Sequence, residues 1–196
     1  MLASKNALTL EGHIGWAMNR AAVMDRVVSQ SKPCLMAQSG FNAGHSACLL
    51  LEKQSRLSKL ISFTKKHPHD SRAAKTSVVG EAYVKKHWPH RHTIIGGDSQ
   101  KTIPLFVKSH ASLGRVLDLV FVDGGHSFKC AYADLQNFAQ LARPRCVVIM
   151  DDVCDQVKHC WQKGPTKAWK KALDEGMVIQ HGSSQDLVWG RFVTKG

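Results

Sequence analysis

The chain has 196 residues, of which 43% are hydrophobic, and a formal net charge of +12 at pH 7. That length supports one α/β domain with a full core, and that composition excludes a disordered chain. No apolar run approaches ~18 residues, so neither a membrane-spanning helix nor a membrane partner is expected.

The first segment, 1–30, is expected to be a helical lead-in to a single domain over 31–196. Ala17, Ala21, Met24 and Val28 recur there at helical spacing, the mark of a buried stripe. "MLASKNALTL" has no long apolar core and is a poor secretory signal. It also lacks acids and contains Ser and Lys, so organelle import stays open beside the expected intracellular, cytoplasmic location. "PCLMAQS" (33–39) reads as a strand, "GFNAGHS" as a Gly-rich turn and "ACLLLEKQ" as a helix. "KLISFT" (59–64) is strand-like, a polar loop follows, and 72–87 suits a helix. "HTIIGG" (92–97) is a strand, and "SQKTIPLFVKSHASL" suits a helix apart from Pro104. "DLVFVD" (118–123) and "CVVIMD" (146–151) are strands flanking a helix over 127–142, whose Phe128, Ala131, Leu135, Phe138 and Leu141 repeat at helical spacing. "PTKAWKKALDEG" reads as a helix closed by Gly176. "MVIQH" and "LVWGRFV" read as strands around the turn "GSSQD".

Strands alternating with helices imply an α/β fold with a mostly parallel sheet covered on both faces. The last two strands have no helix between them and should form an antiparallel hairpin at one edge. In such a sheet ligands bind outside the carboxyl ends of the strands. The candidates are therefore Gly40 to Ser46, Thr64, Asp98 to Gln100, Asp123 to His126, and Asp151 with Asp152.

Gly40 and Gly44 bracket a tight strand-to-helix turn in which backbone meets ligand closely. The missing lysine argues against a P-loop, and the missing third glycine against a dinucleotide fingerprint. Ser99 and Gln100 suit the edge of a purine ring, whereas Asp98 or Ser99 equally suits a helix cap. Asp123, Asp151 and Asp152 end two strands joined by one helix, so three carboxylates converge. Their mutual repulsion is removed by a hard divalent cation such as Mg²⁺. His126, three residues past Asp123, is placed to accept a proton from a substrate hydroxyl. The six cysteines include no CxxC pair. Cys34, Cys48 and Cys146 lie in apolar runs and read as buried, reduced thiols. Cys154, His159 and Cys160 fit no usual zinc spacing.

"GFNAGHSACLLL", "GGDSQKTIP", "FVDGGHSFKCAYADLQNFAQLARPRCVVIMDDV" and "TKAWKKALDEG" together resemble the class I S-adenosylmethionine-dependent methyltransferases. The likeness is to the macrocin O-methyltransferase-like group and, more distantly, to catechol O-methyltransferase. It spans roughly residues 11–194. The resemblance implies a Rossmann-like sheet of seven strands, the last antiparallel. It implies S-adenosylmethionine on Gln38, Gly40, Asn42, Gly44, Ser46, Thr64, Asp98, Ser99 and Gln100, and Mg²⁺ on Asp123, Asp151 and Asp152. It implies catalysis by His126, at the place where catechol methyltransferases carry a lysine, together with Asp123. Two positions depart from the family pattern. Gln38 stands where an acid usually precedes the Gly-rich turn, and Thr64 stands where an acid usually grips the ribose. A neutral residue gives up a charge-assisted bond of ~1.5–3 kcal/mol.

Two readings follow. One is a Mg²⁺-assisted O-methyltransferase acting on a small-molecule hydroxyl, such as that of a sugar or vicinal diol. The other is a methyltransferase-fold protein with weakened cofactor binding that serves as a basic module on RNA or a ribosome surface. The +12 charge suggests sequence-indifferent RNA affinity in either case. Oligomeric state is open.

Overall fold

The computed structural model describes residues 18–65 and 72–194. The organelle-import segment, Ala17 and loop residues 66–71 lie outside that range. The described chain runs α1 (Met18–Ser31), β1 (Leu35–Ser39), α2 (His45–Glu52), β2 (Lys59–Thr64), α3 (Arg72–His87), β3 (His92–Gly96), α4 (Ser99–Ser109), β4 (Leu117–Val122), α5 (Phe128–Leu141), β5 (Ala142–Met150), α6 (Lys163–Asp174), β6 (Val178–Ser184) and β7 (Leu187–Phe192).

The seven strands lie in the order β3-β2-β1-β4-β5-β7-β6. β1 to β5 are parallel, and β7 inserts antiparallel between β5 and β6. This is the mostly parallel α/β sheet that the alternating pattern predicts, with the terminal hairpin at one edge, and the seven-stranded Rossmann-like sheet that the resemblance implies. The expected turn "GSSQD" is shorter in the structure. Ser183 and Ser184 pair with Val188 and Leu187, leaving Gln185, at φ 56°, and Asp186 to reverse the chain.

Each sheet face carries its own core. Met24, Val28, Leu50, Leu51 and Val84 from α1, α2 and α3 pack on Met36, Leu60, Leu119 and Phe121. Ile103, Leu135, Phe138 and Trp169 from α4, α5 and α6 pack on Ala37, Phe63, Val120 and Val148. Alternate strand residues enter opposite clusters, as a pleated strand buried on both sides requires. The lead-in stripe is buried as expected at Met24 and Val28. α4 continues through Pro104, which removes one N–H from the helix ladder while Ile103 beside it is fully buried.

The caps place helix starts at the carboxyl edge of the sheet. Asp98 accepts from the Gln100 amide at 3.1 Å, and Ser127 from the Cys130 amide at 3.2 Å. All six cysteines are free thiols. Cys146 is buried, but Cys34 is exposed and Cys48 only partly buried, because Cys34 precedes β1 rather than lying within it. No described helix is long and apolar enough to cross a membrane.

Candidate active site

Backbone hydrogen bonds between neighbouring strands align the strand ends. The Gly97 amide donates to the Thr64 carbonyl (2.8 Å), the Gly40 amide to Phe63 (2.8 Å), the Asp123 amide to Ser39 (3.1 Å) and the Asp151 amide to Val122 (3.0 Å). The residues nominated from sequence therefore stand along one rim.

At the β1 end, Gly40, Asn42 and Gly44 all adopt positive φ, at 85°, 45° and 79°. The turn delivers the chain into α2, where Ser46 is buried. Gln38 is fully buried and faces inward. Its Nε2 donates to Ser62 Oγ at 2.9 Å, and Ser62 Oγ lies 2.7 Å from His92 Nε2. Burial pushes the His92 imidazole down to about 4, so it is neutral and stacks on Phe41. Gln38 Oε1 has no hydrogen-bond partner, and the neighbouring Ser39 Oγ faces Asp134 of α5. Thr64, at the end of β2, is half-buried.

At the start of α4, Asp98 serves as the cap described above, which is the structural role its position allowed. Gln100 Nε2 lies 3.2 Å from Cys130 Sγ on α5. The Ser99 hydroxyl faces Asp134 of α5. Asp134 is buried with neither carboxylate oxygen hydrogen-bonded in good geometry. Burial pushes its carboxyl up to about 6, against the pull of Ser39 and Ser99.

The carboxylates at the ends of β4 and β5 do not behave alike. Asp152, at φ 59°, turns the chain off β5. Its Oδ2 lies 2.8 Å from His126 Nε2, and this bond raises the imidazole pKa above its ordinary value. Ligand atoms of Asp123, His126 and Asp152 all lie within 4.8 Å of one another. Asp123 is pushed well above the usual carboxylate range, first by burial and then by the charges of Asp151 and Asp152. Asp151 turns to the other side, where it forms an ion pair with Arg20 of α1, which also pairs with Asp186. Burial pushes Asp151 up to about 7, with Arg20 pulling it down. Asp151, Asp152 and Asp186 form a second group within the same 4.8 Å reach. Cys154, His159 and Cys160 are not among the described metal-competent groups.

Sequence reading missed Arg20, Asp186 and Asp134. Arg20 stands one helical turn before Met24 of the buried stripe, a signal the apolar spacing alone passes over, and Asp186 sits in what read as an ordinary turn. Asp134 did leave a signal, since it occupies the position just before Leu135 on the apolar stripe of α5.

A family described as a methyltransferase domain matches residues 37–153. No curated protein matches the chain. Among solved structures, an O-methyltransferase from Bacillus cereus in complex with SAH is 14% identical, over 88% of this chain and 80% of that chain, with a TM-score of 0.67. An O-methyltransferase from Streptomyces achromogenes, involved in tomaymycin synthesis and in complex with SAM, is 12% identical over 90% and 80%, also at 0.67. A TDP-rhamnose 3'-O-methyltransferase of calicheamicin biosynthesis is 15% identical over 89% and 79%, at 0.62. At such identities the likeness is one of fold.

Proposed function

The chain belongs to the methyltransferase-domain family, and on that premise we propose that it methylates a hydroxyl of a small molecule from S-adenosylmethionine, with the help of Mg²⁺ or a similar cation. The observation that carries this reading is the convergence of Asp123, His126 and Asp152 beside the Gly40–Gly44 turn. Carboxylate oxygens are the donors that a hard divalent cation prefers, so the residues present fit the ion. Asp123 and Asp152 would supply those oxygens, and Asp151 could add one only by leaving Arg20. When bound, such a cation would attract substrate oxygens and lower the pKa of a hydroxyl among them. This favours an acceptor with paired oxygens, a sugar or vicinal diol. The solved neighbour named for a sugar 3'-hydroxyl supports the same class.

Neutral His126 accepts the hydroxyl proton, and Asp152 stabilises the imidazolium that results. On the cofactor side, the left-handed turn at Gly40, Asn42 and Gly44 would receive the methionine part of the cofactor. Ser46, Thr64, Asp98, Ser99 and Gln100 line the remainder of the rim. S-adenosylmethionine, when bound, supplies the methyl group.

The test is calorimetric titration of S-adenosylmethionine and of Mg²⁺ into wild type and Asp123→Asn. Wild type should bind both, and the variant should lose Mg²⁺ affinity while retaining the cofactor, because a neutral amide is a poor ligand for a hard cation. Absence of binding by wild type at millimolar concentrations of either ligand defeats the reading.

A separate observation supports an added affinity for polyanions. Lys32, Arg145 and Arg191 line a groove at the opposite, amino end of the strands. A phosphate backbone suits such a groove.

A further inference from the structure

Arg20 stands in the first turn of α1 and crosses to the carboxyl end of β5. It pairs with Asp151 through Nη2. Its Nε lies 3.2 Å from Asp186 Oδ1, and its Nη1 lies 3.4 Å from Asp186 Oδ2. The contact is largely dry, with side-chain exposures of 16% for Arg20 and 6% for Asp151. Adjacent carboxylates thus face different partners, Asp151 the Arg20 guanidinium and Asp152 the His126 imidazole. The backbone explains the split. The Asp151 amide still follows the β5 ladder by donating to Val122, while the left-handed turn at Asp152 swings the next side chain toward Asp123.

A guanidinium and a divalent cation are alternative counter-ions for one carboxylate. We propose that Arg20 is a positioning residue that competes with the divalent cation for Asp151, leaving the ion to Asp123 and Asp152 and tying α1 to the metal site. The inference rests on the metal-assisted reading above. It has two consequences. Wild-type affinity for the ion is held below what three carboxylates would give, because affinity for hard cations rises with the number of charged ligands. Recruitment of Asp151 by the ion requires Arg20, and with it the start of α1, to let go.

The experiment is a titration of the full chain with Mn²⁺, followed by the electron paramagnetic resonance of the free ion, for wild type, Arg20→Gln and Arg20→Lys. Arg20→Gln should bind Mn²⁺ at least about tenfold more tightly than wild type, since it frees a carboxylate and removes a nearby positive charge. Arg20→Lys keeps the charge and should remain within about threefold of wild type. A residue that merely braced the site would give the opposite sign, with weaker binding in Arg20→Gln. Thermal melting provides a second readout should Arg20→Gln fold poorly. Mn²⁺ should then raise the melting temperature of that variant by more than it raises that of wild type, because a ligand bound only by the folded state stabilises it by an amount that grows with the logarithm of its affinity. Equal or weaker Mn²⁺ binding by Arg20→Gln, alongside measurable binding by wild type, overturns the competition and leaves the metal-assisted reading standing. No Mn²⁺ binding by any of the three at millimolar concentration overturns both.

Discussion

Gly40 and Asp123 meet backbone to backbone. A Cβ placed on Gly40 would stand 2.0 Å from the Asp123 carbonyl oxygen. The turn proposed to take the cofactor and the strand end proposed to present a metal ligand are therefore one tight junction. Gly40→Ala must part them, and its φ of 85° adds strain on the order of 1–3 kcal/mol. The expected outcome is a lower melting temperature together with joint loss of S-adenosylmethionine and Mn²⁺ binding. Loss of one ligand alone would show that the two halves are independent.

His126→Ala should leave cofactor affinity and Mn²⁺ affinity within a few-fold of wild type while cutting turnover by ~10²–10⁴, the usual contribution of a positioned base. Steady-state kinetics on an authentic acceptor, beside the two titrations, checks it. Near-wild-type turnover would place the base elsewhere, whereas a large fall in Mn²⁺ affinity would make His126 a ligand.

Asp134 carries a pH dependence whose sign follows from burial. Its folded pKa, about 6, lies above the ordinary 3.8, so its contribution to stability is full below about pH 4 and is lost as pH rises through 6. At ~1.4 kcal/mol per pH unit, the difference is on the order of 2–3 kcal/mol. Asp134→Asn should match wild type near pH 4 and exceed its melting temperature by roughly 4–10 °C at pH 8. Parallel stability curves for the two proteins would mean that the Asp134 carboxyl is not held neutral.

The two positions where the family carries acids should respond differently. Thr64 is half-buried at the rim, and Thr64→Asp restores a carboxylate where a ribose is expected. It should tighten S-adenosylmethionine about tenfold, the equivalent of ~1.4 kcal/mol. Gln38 is fully buried and donates to Ser62. Gln38→Glu removes that donor and buries a carboxylate, so it should lower the melting temperature with little gain in affinity. Calorimetry and melting curves on the single variants separate the effects.

RNA affinity should fall with salt, each neutralised phosphate adding ~0.7–0.9 to the slope of log affinity against log salt concentration. Replacing Lys32, Arg145 and Arg191 together by alanine should flatten the slope measured by fluorescence anisotropy. An unchanged slope moves the polyanion surface away from the groove.

Much of the fold was legible along the chain because its signals are local. Apolar runs ending in "SGFNAG", "VDGGHS" and "MDDV" announce buried strands that stop at polar turns, and parallel pairing then places those turns on one rim. The hairpin was legible from the missing helix between its strands. Its turn was misjudged, because Ser183 and Ser184 resemble loop residues until cross-strand pairing claims them. Cys34 was misjudged for a similar reason, since an apolar neighbourhood in sequence does not fix on which side of a strand boundary a residue falls.

The sequence by itself determined that carboxylates and a histidine collect at the ends of β4 and β5, since strand period and helix length decide that locally. Only the tertiary structure decided what each carboxylate faces. Asp151 and Asp152 are chemically identical neighbours, yet one meets an arginine 131 positions away and the other a histidine on the adjacent strand end. Counter-ion choice acts through space over a few ångströms, and no pattern along the chain encodes which distant cation the folded backbone brings within that range.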